Sequence, residues 1–173
     1  MNCIAPHGST LRHRMLTLSP DAIRTMQDHA FAQYPAECCG LLFASDPGTS
    51  AGTRALLVEN MADKLHALDP VEYPRTSRDA FAMNEAKVAR LVREAEAAGE
   101  RWLGIWHSHI DCGAYWSSED KRSAAPDGVP VYPTLFQTVI DCRPGRIIEA
   151  RTFLWDGTDY VPVTTHSDFA RTR

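Results

Sequence analysis

Apolar residues first fall into a helical rhythm at Ile23, Met26 and Ala30, joined by Phe31 and Tyr34, within SPDAIRTMQDHAFAQY. Spacings of three and four put them on one stripe and predict a helix. Ser19 stands where an N-cap would, Pro20 at the first helical position, Asp21 in the first turn and Pro35 at the end. The rhythm then changes. ECCGLLFAS is a short apolar run that predicts a buried strand, stopped by DPGTSAG, with TRALLVEN as its hairpin neighbour. Residues 61 to 76, with Pro70 and Pro74, read as irregular apart from a short strand near Glu72. Phe81, Val88, Leu91, Val92 and Ala95 form a second stripe and predict a helix from Ser77 to Ala98, with Gly99 to end it.

Beyond Gly99, RWLGIWHSH predicts a strand and SSEDKRSAA a short helix beginning at Ser117. TLFQTVIDC and IIEARTFLWDG, joined by the turn RPGR, read as a hairpin, and DYVPV as a last strand. This order of elements predicts an α/β fold, a single mixed-sheet domain flanked by helices. Residues 1 to 17 lack periodicity and are expected as a flexible lead-in, 18 to 165 as the domain and 166 to 173 as a tail.

Composition narrows the classes. At 173 residues the chain is long enough to bury one core. A net charge of -4 with scattered arginines gives no electrostatic reason for a nucleic-acid or membrane partner. No apolar run approaches the roughly 18 residues of a membrane span, and MNCIAPHGSTLRHRML lacks a signal-peptide core. Cys3, Cys38, Cys39, Cys112 and Cys142 are odd in number and contain no C-x-x-C pair. That is a poor disulfide framework, and a cytoplasmic location is expected.

The chemistry enters at GIWHSHIDCGAYWSSEDKRSAA. Side chains at i and i+2 of a strand share a face, so His107 and His109 point the same way, following Leu103 and Ile105. Two neutral imidazoles on a fixed backbone can chelate one metal at little entropic cost. A catalytic zinc takes three protein ligands and keeps one position open. Asp120, one turn into the helix that begins at Ser117, can return as the third ligand. Each piece also has a structural reading: H-x-H is common in strands, and Ser117 to Asp120 is a capping box. Their combination at this spacing is what points to a metal.

HSHIDCGAYWSSED carries H-x-H, seven residues, Ser, two residues, Asp, and so resembles the JAMM (MPN-plus) zinc metalloprotease family with all four positions filled. The upstream glutamate of that family is matched by Glu37 in YPAECCGLL, a context typical of its small bacterial members. The resemblance runs from about residue 19 to 163. It implies a JAMM/MPN, cytidine-deaminase-like architecture, with Zn²⁺ held by His107, His109 and Asp120. It further implies catalytic roles for Glu37, as the group that moves the proton, and for Ser117, as an oxyanion donor. The chain departs at Ile110, where many members have proline, so the loop with Asp111, Cys112, Tyr115 and Trp116 is expected to differ in shape and selectivity. A zinc deaminase would need H-x-E with P-C-x-x-C, and a zincin H-E-x-x-H; neither is present.

The implied reaction is zinc-dependent hydrolysis of a peptide or isopeptide bond at the C-terminal tail of a ubiquitin-like protein. Tail processing of a sulfur carrier ending in Gly-Gly is the first expectation, and a deubiquitinase-like isopeptidase of a bacterial conjugation system is the alternative. The reading from another class is a non-catalytic MPN scaffold, against which stands the presence of all five residues. Tyr115 and Trp116, with DGVPVYPT at 127 to 134, are candidate walls of a substrate groove, and core packing is their other reading. Cys38 and Cys39 read as buried strand residues and Cys112 as a spectator. His7, His13, His29, His66 and His166 lack partner spacing. A homodimer is compatible with the chain, though no interface is legible in it.

Overall fold

The computed structural model describes residues 15 to 45 and 52 to 173. The expectations for Cys3, His7, His13, the lead-in as far as residue 14, and most of the DPGTSAG turn lie outside the described residues. Helix α1 spans Pro20–Gln33. The Ser19 hydroxyl accepts the Ala22 N–H at 3.1 Å and donates to the Thr53 carbonyl at 2.6 Å. One side chain therefore caps the helix and ties it to the sheet. The apolar stripe, including Ile23, Met26, Ala30 and Phe31, is buried as the spacing predicts.

Strands β1 (Cys39–Ala44) and β2 (Thr53–Val58) form the expected antiparallel pair. They are followed by α2 (Ala62–Leu68), α3 (Glu85–Ala97), β3 (Arg101–Ile110) and α4 (Ser118–Ala124). Then come β4 (Phe136–Arg143), β5 (Arg146–Trp155), β6 (Tyr160–His166) and the two-residue β7 (Arg171–Thr172). One mixed sheet results, in the order β2-β1-β3-β4-β5-β6, with β7 paired to β5. At its middle, β3 runs antiparallel to β1 and parallel to β4. A β3 flanked on both sides is a rigid base for side chains near its end.

Helix α1 covers one face, over a core that includes Met26, Leu42, Trp106 and Ile140. Helix α3 covers part of the other, where Leu41, Phe43 and Val88 pack. Beyond α4 that second face carries Val139, Phe153 and Tyr160, with Trp116 against them. Gly40, paired with Trp106, has no room for a Cβ, which would strike the Leu56 carbonyl and the Trp106 indole. Likewise a Cβ on Gly104 would strike the Phe136 carbonyl.

Several sequence expectations are corrected. A helix, α2, stands where residues 61 to 76 read as irregular, and the residues around Glu72 form a turn instead of a strand. Only Ala62 of α2 is buried, so the helix has no apolar stripe to reveal it. Helix α3 begins at Glu85, not Ser77, because the Asn84 side chain caps it by accepting the Lys87 N–H at 2.9 Å. Leu103 does not share a face with Ile105: the β1–β3 register shifts between Leu42 and Phe43, so Leu103 joins the α1 core while Ile105 packs on the α3 side. Strand β6 also runs on past DYVPV to His166.

Candidate metal centre

His107 and His109 lie on one face near the C-terminal end of β3, both buried. Asp120 reaches them from the first turn of α4. Its Oδ1 lies 3.1 Å from His107 Nε2 and its Oδ2 3.2 Å from His109 Nε2. The two Nε2 atoms are themselves 3.1 Å apart. Ligand atoms of the three residues lie within 4.8 Å of one another, and no other such group occurs among the described residues.

The His109 Nδ1–H donates to the Gly113 carbonyl at 3.0 Å. That bond fixes the tautomer and turns the lone pair of Nε2 toward Asp120. Lone pairs and a carboxylate thus face a common centre that calls for positive charge. Burial would push the His109 ring down, but hydrogen bonding and charge from Asp120, with Glu37 and Gly113, hold it above its ordinary value. Burial keeps His107 below its ordinary value despite Asp120. Burial also pushes the Asp120 carboxyl up, and His107, His109 and Ser117 more than offset it, so the carboxyl sits well below the usual range. Two imidazole Nε2 atoms and an ionised carboxylate are a donor set that zinc takes, with His109 giving up any proton on binding, and the residues present fit it.

Ser117 is the N-cap of α4. Its Oγ accepts the Asp120 N–H at 3.1 Å and donates to Asp120 Oδ2 at 2.6 Å, and its own N–H donates to the same oxygen at 2.9 Å. The capping box therefore also orients the third ligand. Glu37 precedes β1 by two residues. Cys39 pairs with His107, and the Ser108 N–H donates to the Cys38 carbonyl at 2.9 Å, so the antiparallel register extends to bring Glu37 opposite His109. Glu37 is 6% exposed, and its carboxyl feels both His109 and Asp120. Burial, only partly opposed by His109, pushes it up to about 8.

The remaining expected residues divide. Tyr115 is exposed and stands edge-on to His109, with ring centroids 5.1 Å apart. Trp116 packs against Tyr160 at 4.8 Å and Phe153 at 5.6 Å, so core packing holds for it, yet it also lines a cleft with Asp120. That cleft runs between α3 and α4 past Val92, Trp102, Val131 and Tyr132, which brings in the 127 to 134 loop. Cys112 is exposed and outside the ligand group. Ile110 simply continues β3, opposite Cys142 on β4.

Two neighbours escaped the sequence reading. Phe81 stacks on His107 with centroids 4.3 Å apart and planes at 22°, instead of joining a helical stripe. Asn60 bonds to the Glu37 carbonyl at 3.0 Å. Neither carries a local motif in the sequence.

The family described as prokaryotic homologs of the JAB domain matches residues 19 to 153. Among solved structures, a protein of Desulfitobacterium hafniense is similar at 24% identity and TM-score 0.62, over 86% of this chain and 89% of that one. A protein of Salinibacter ruber is 19% identical at TM-score 0.48, over 84% and 88%. No curated protein matches.

Proposed function

The chain belongs to the family of prokaryotic JAB-domain homologs, and from that premise we propose that it is a zinc-dependent metallopeptidase acting at the C-terminal tail of a ubiquitin-like protein. The observation that carries the reading is the convergence of His107, His109 and Asp120, with the buried Glu37 carboxyl on the same side of the sheet. His107 and His109 would hold the metal through Nε2 and Asp120 through its carboxylate. A bound Zn²⁺ supplies Lewis acidity, which lowers the pKa of water from 15.7 to about 7 and polarises a carbonyl.

Glu37 does the proton work. Burial raises the Glu37 carboxyl to about 8, so in its ionised form it is a stronger base than a solvated glutamate, able to take a proton from the attacking water and give it to the leaving amine. A solvated glutamate would be too weak a base for the first step. Ser117 donates its single hydroxyl proton to the developing oxyanion, for which that proton must turn away from Asp120 Oδ2. Trp116 and the residues of the adjoining cleft offer a largely apolar wall against which a substrate chain can lie.

A Gly-Gly tail has no side chains to obstruct it and suits a narrow cleft beside such a centre. We favour trimming of a sulfur-carrier tail, with isopeptide release from a lysine as the alternative bond. The test is cleavage by zinc-loaded protein of two probes: a ubiquitin-like protein extended past Gly-Gly by a peptide, and the same protein joined to a lysine side chain. Faster cleavage of the first supports trimming, and faster cleavage of the second supports the isopeptidase. Cleavage of neither by metal-loaded protein contradicts the peptidase reading and favours a scaffold.

A further inference from the structure

Asn60 lies just past β2, away from the ligand cluster, yet its carboxamide uses every hydrogen bond it can make. Nδ2 donates to the Glu37 carbonyl at 3.0 Å and to the Ala80 carbonyl at 3.0 Å. Oδ1 accepts from the Ala62 N–H at 3.0 Å and from the Ala82 N–H at 3.0 Å. A parallel backbone bond, Met61 N–H to the Ala82 carbonyl at 2.8 Å, reinforces the grip. The residues held on either side, Ala80 and Ala82, flank Phe81, whose ring stacks on His107.

The other backbone group of Glu37 is held by the same segment. Its N–H donates to the Ser77 carbonyl at 2.5 Å. Ser77 is in turn fixed by Asp63 of α2, which accepts its N–H and its hydroxyl at 2.7 Å each. Glu37 precedes β1 and has no ladder partner of its own from β2. Its backbone direction, and hence the direction of its carboxyl, is set by residues 60 to 82.

We propose that Asn60 is a positioning residue, whose carboxamide locks the Glu37 backbone and the Phe81 ring behind His107 into one rigid unit. The proposal deepens the peptidase reading and rests on it for its kinetic consequence. A carboxyl displaced by about 1 Å can lose on the order of 100-fold in rate, whereas substrate contacts stay intact. The effect therefore belongs in kcat and not in KM.

The experiment compares wild type with Asn60→Ala, which removes all four bonds, and Asn60→Asp, which keeps the shape and the accepting oxygen but loses both donations. Asn60→Asp also serves should Asn60→Ala fail to fold. Zinc-loaded proteins are assayed on the peptide-extended ubiquitin-like probe, with bound zinc counted per chain. The expected result is full zinc content, kcat down by about 10- to 100-fold and KM within about threefold. Wild-type kcat in folded, zinc-loaded variants overturns the proposal. In parallel, the ring-proton resonances of His107 are read by NMR in metal-free protein, where the stacked Phe81 displaces them. Asn60→Ala or Asn60→Asp is expected to move them toward unstacked values while distant resonances stay in place. Unmoved His107 resonances overturn the positioning role even if wild type cleaves no probe, and in that case the peptidase reading fails separately.

Discussion

Glu37 sits where a carboxylate is uncomfortable, and that discomfort is measurable. Its folded pKa of about 8 lies above the ordinary carboxyl value of 4.5, chiefly through burial. Between those values the folded state binds more protons than the unfolded one, so this group's contribution is complete below about 4.5 and is lost as pH rises through about 8. In metal-free protein, Glu37→Gln should therefore gain on wild type in melting temperature as pH goes from 5 to 8; a constant difference would mean that the carboxyl is not buried as described. The same variant should retain zinc and lose cleavage, and loss of zinc would make Glu37 a ligand instead. Ser117→Ala should lower turnover about 100-fold through the lost oxyanion donor, and cost about 1 kcal/mol in stability through the lost cap. A lower melting temperature with turnover untouched would leave only the cap. The ligand set and Ser117 were legible because they follow one another at short, fixed spacing along a strand, a loop and a helix start. Glu37 was legible only through family resemblance, and Asn60 and Phe81 not at all, since their importance arises from chain segments that meet only in the fold.

At the scale of elements, what the hydrophobic pattern marked is what packing decides. Helix α1 and strands β1 to β5 followed from stripes and apolar runs because their burial dominates their stability. Helix α2 and the start of α3 did not, because side chain–backbone bonds decide them. Asn60 accepts the Ala62 N–H, Asp69 accepts the N–H groups of Val71 and Glu72 at 3.0 Å each, and Asn84 caps α3. The facing of Leu103 was hidden for another reason, a register shift that an i, i+2 count does not anticipate. Close strand approach can be tested directly. Gly104→Ala forces a methyl group against the Phe136 carbonyl in the parallel pairing of β3 with β4. A loss of about 1–3 kcal/mol in urea denaturation is expected. An unchanged midpoint would mean that the β3–β4 pairing tolerates the added carbon.

Across the whole molecule, one mixed sheet puts a rigid strand at its centre and hangs the rest of the site around its end. Helix α4 brings Ser117 and Asp120, the residues before β1 bring Glu37, and the segment between β2 and α3 backs both. Arg75 of that segment pairs with Glu119 of α4 at 3.2 Å, so the two sides of the site are also joined to each other. No helix of the described residues is long and apolar enough to cross a membrane. Because the ligands converge only in the folded chain, metal should stabilise it by mass action, by about 2.7 kcal/mol at a free metal concentration of 100 times Kd. Chelation should lower the melting temperature accordingly. Elemental analysis of the purified, zinc-reconstituted protein counts the metal held by His107, His109 and Asp120. One zinc per chain is predicted for wild type and for Glu37→Gln, with loss in His107→Ala and Asp120→Ala. A wild-type protein that holds no zinc after reconstitution would contradict the account.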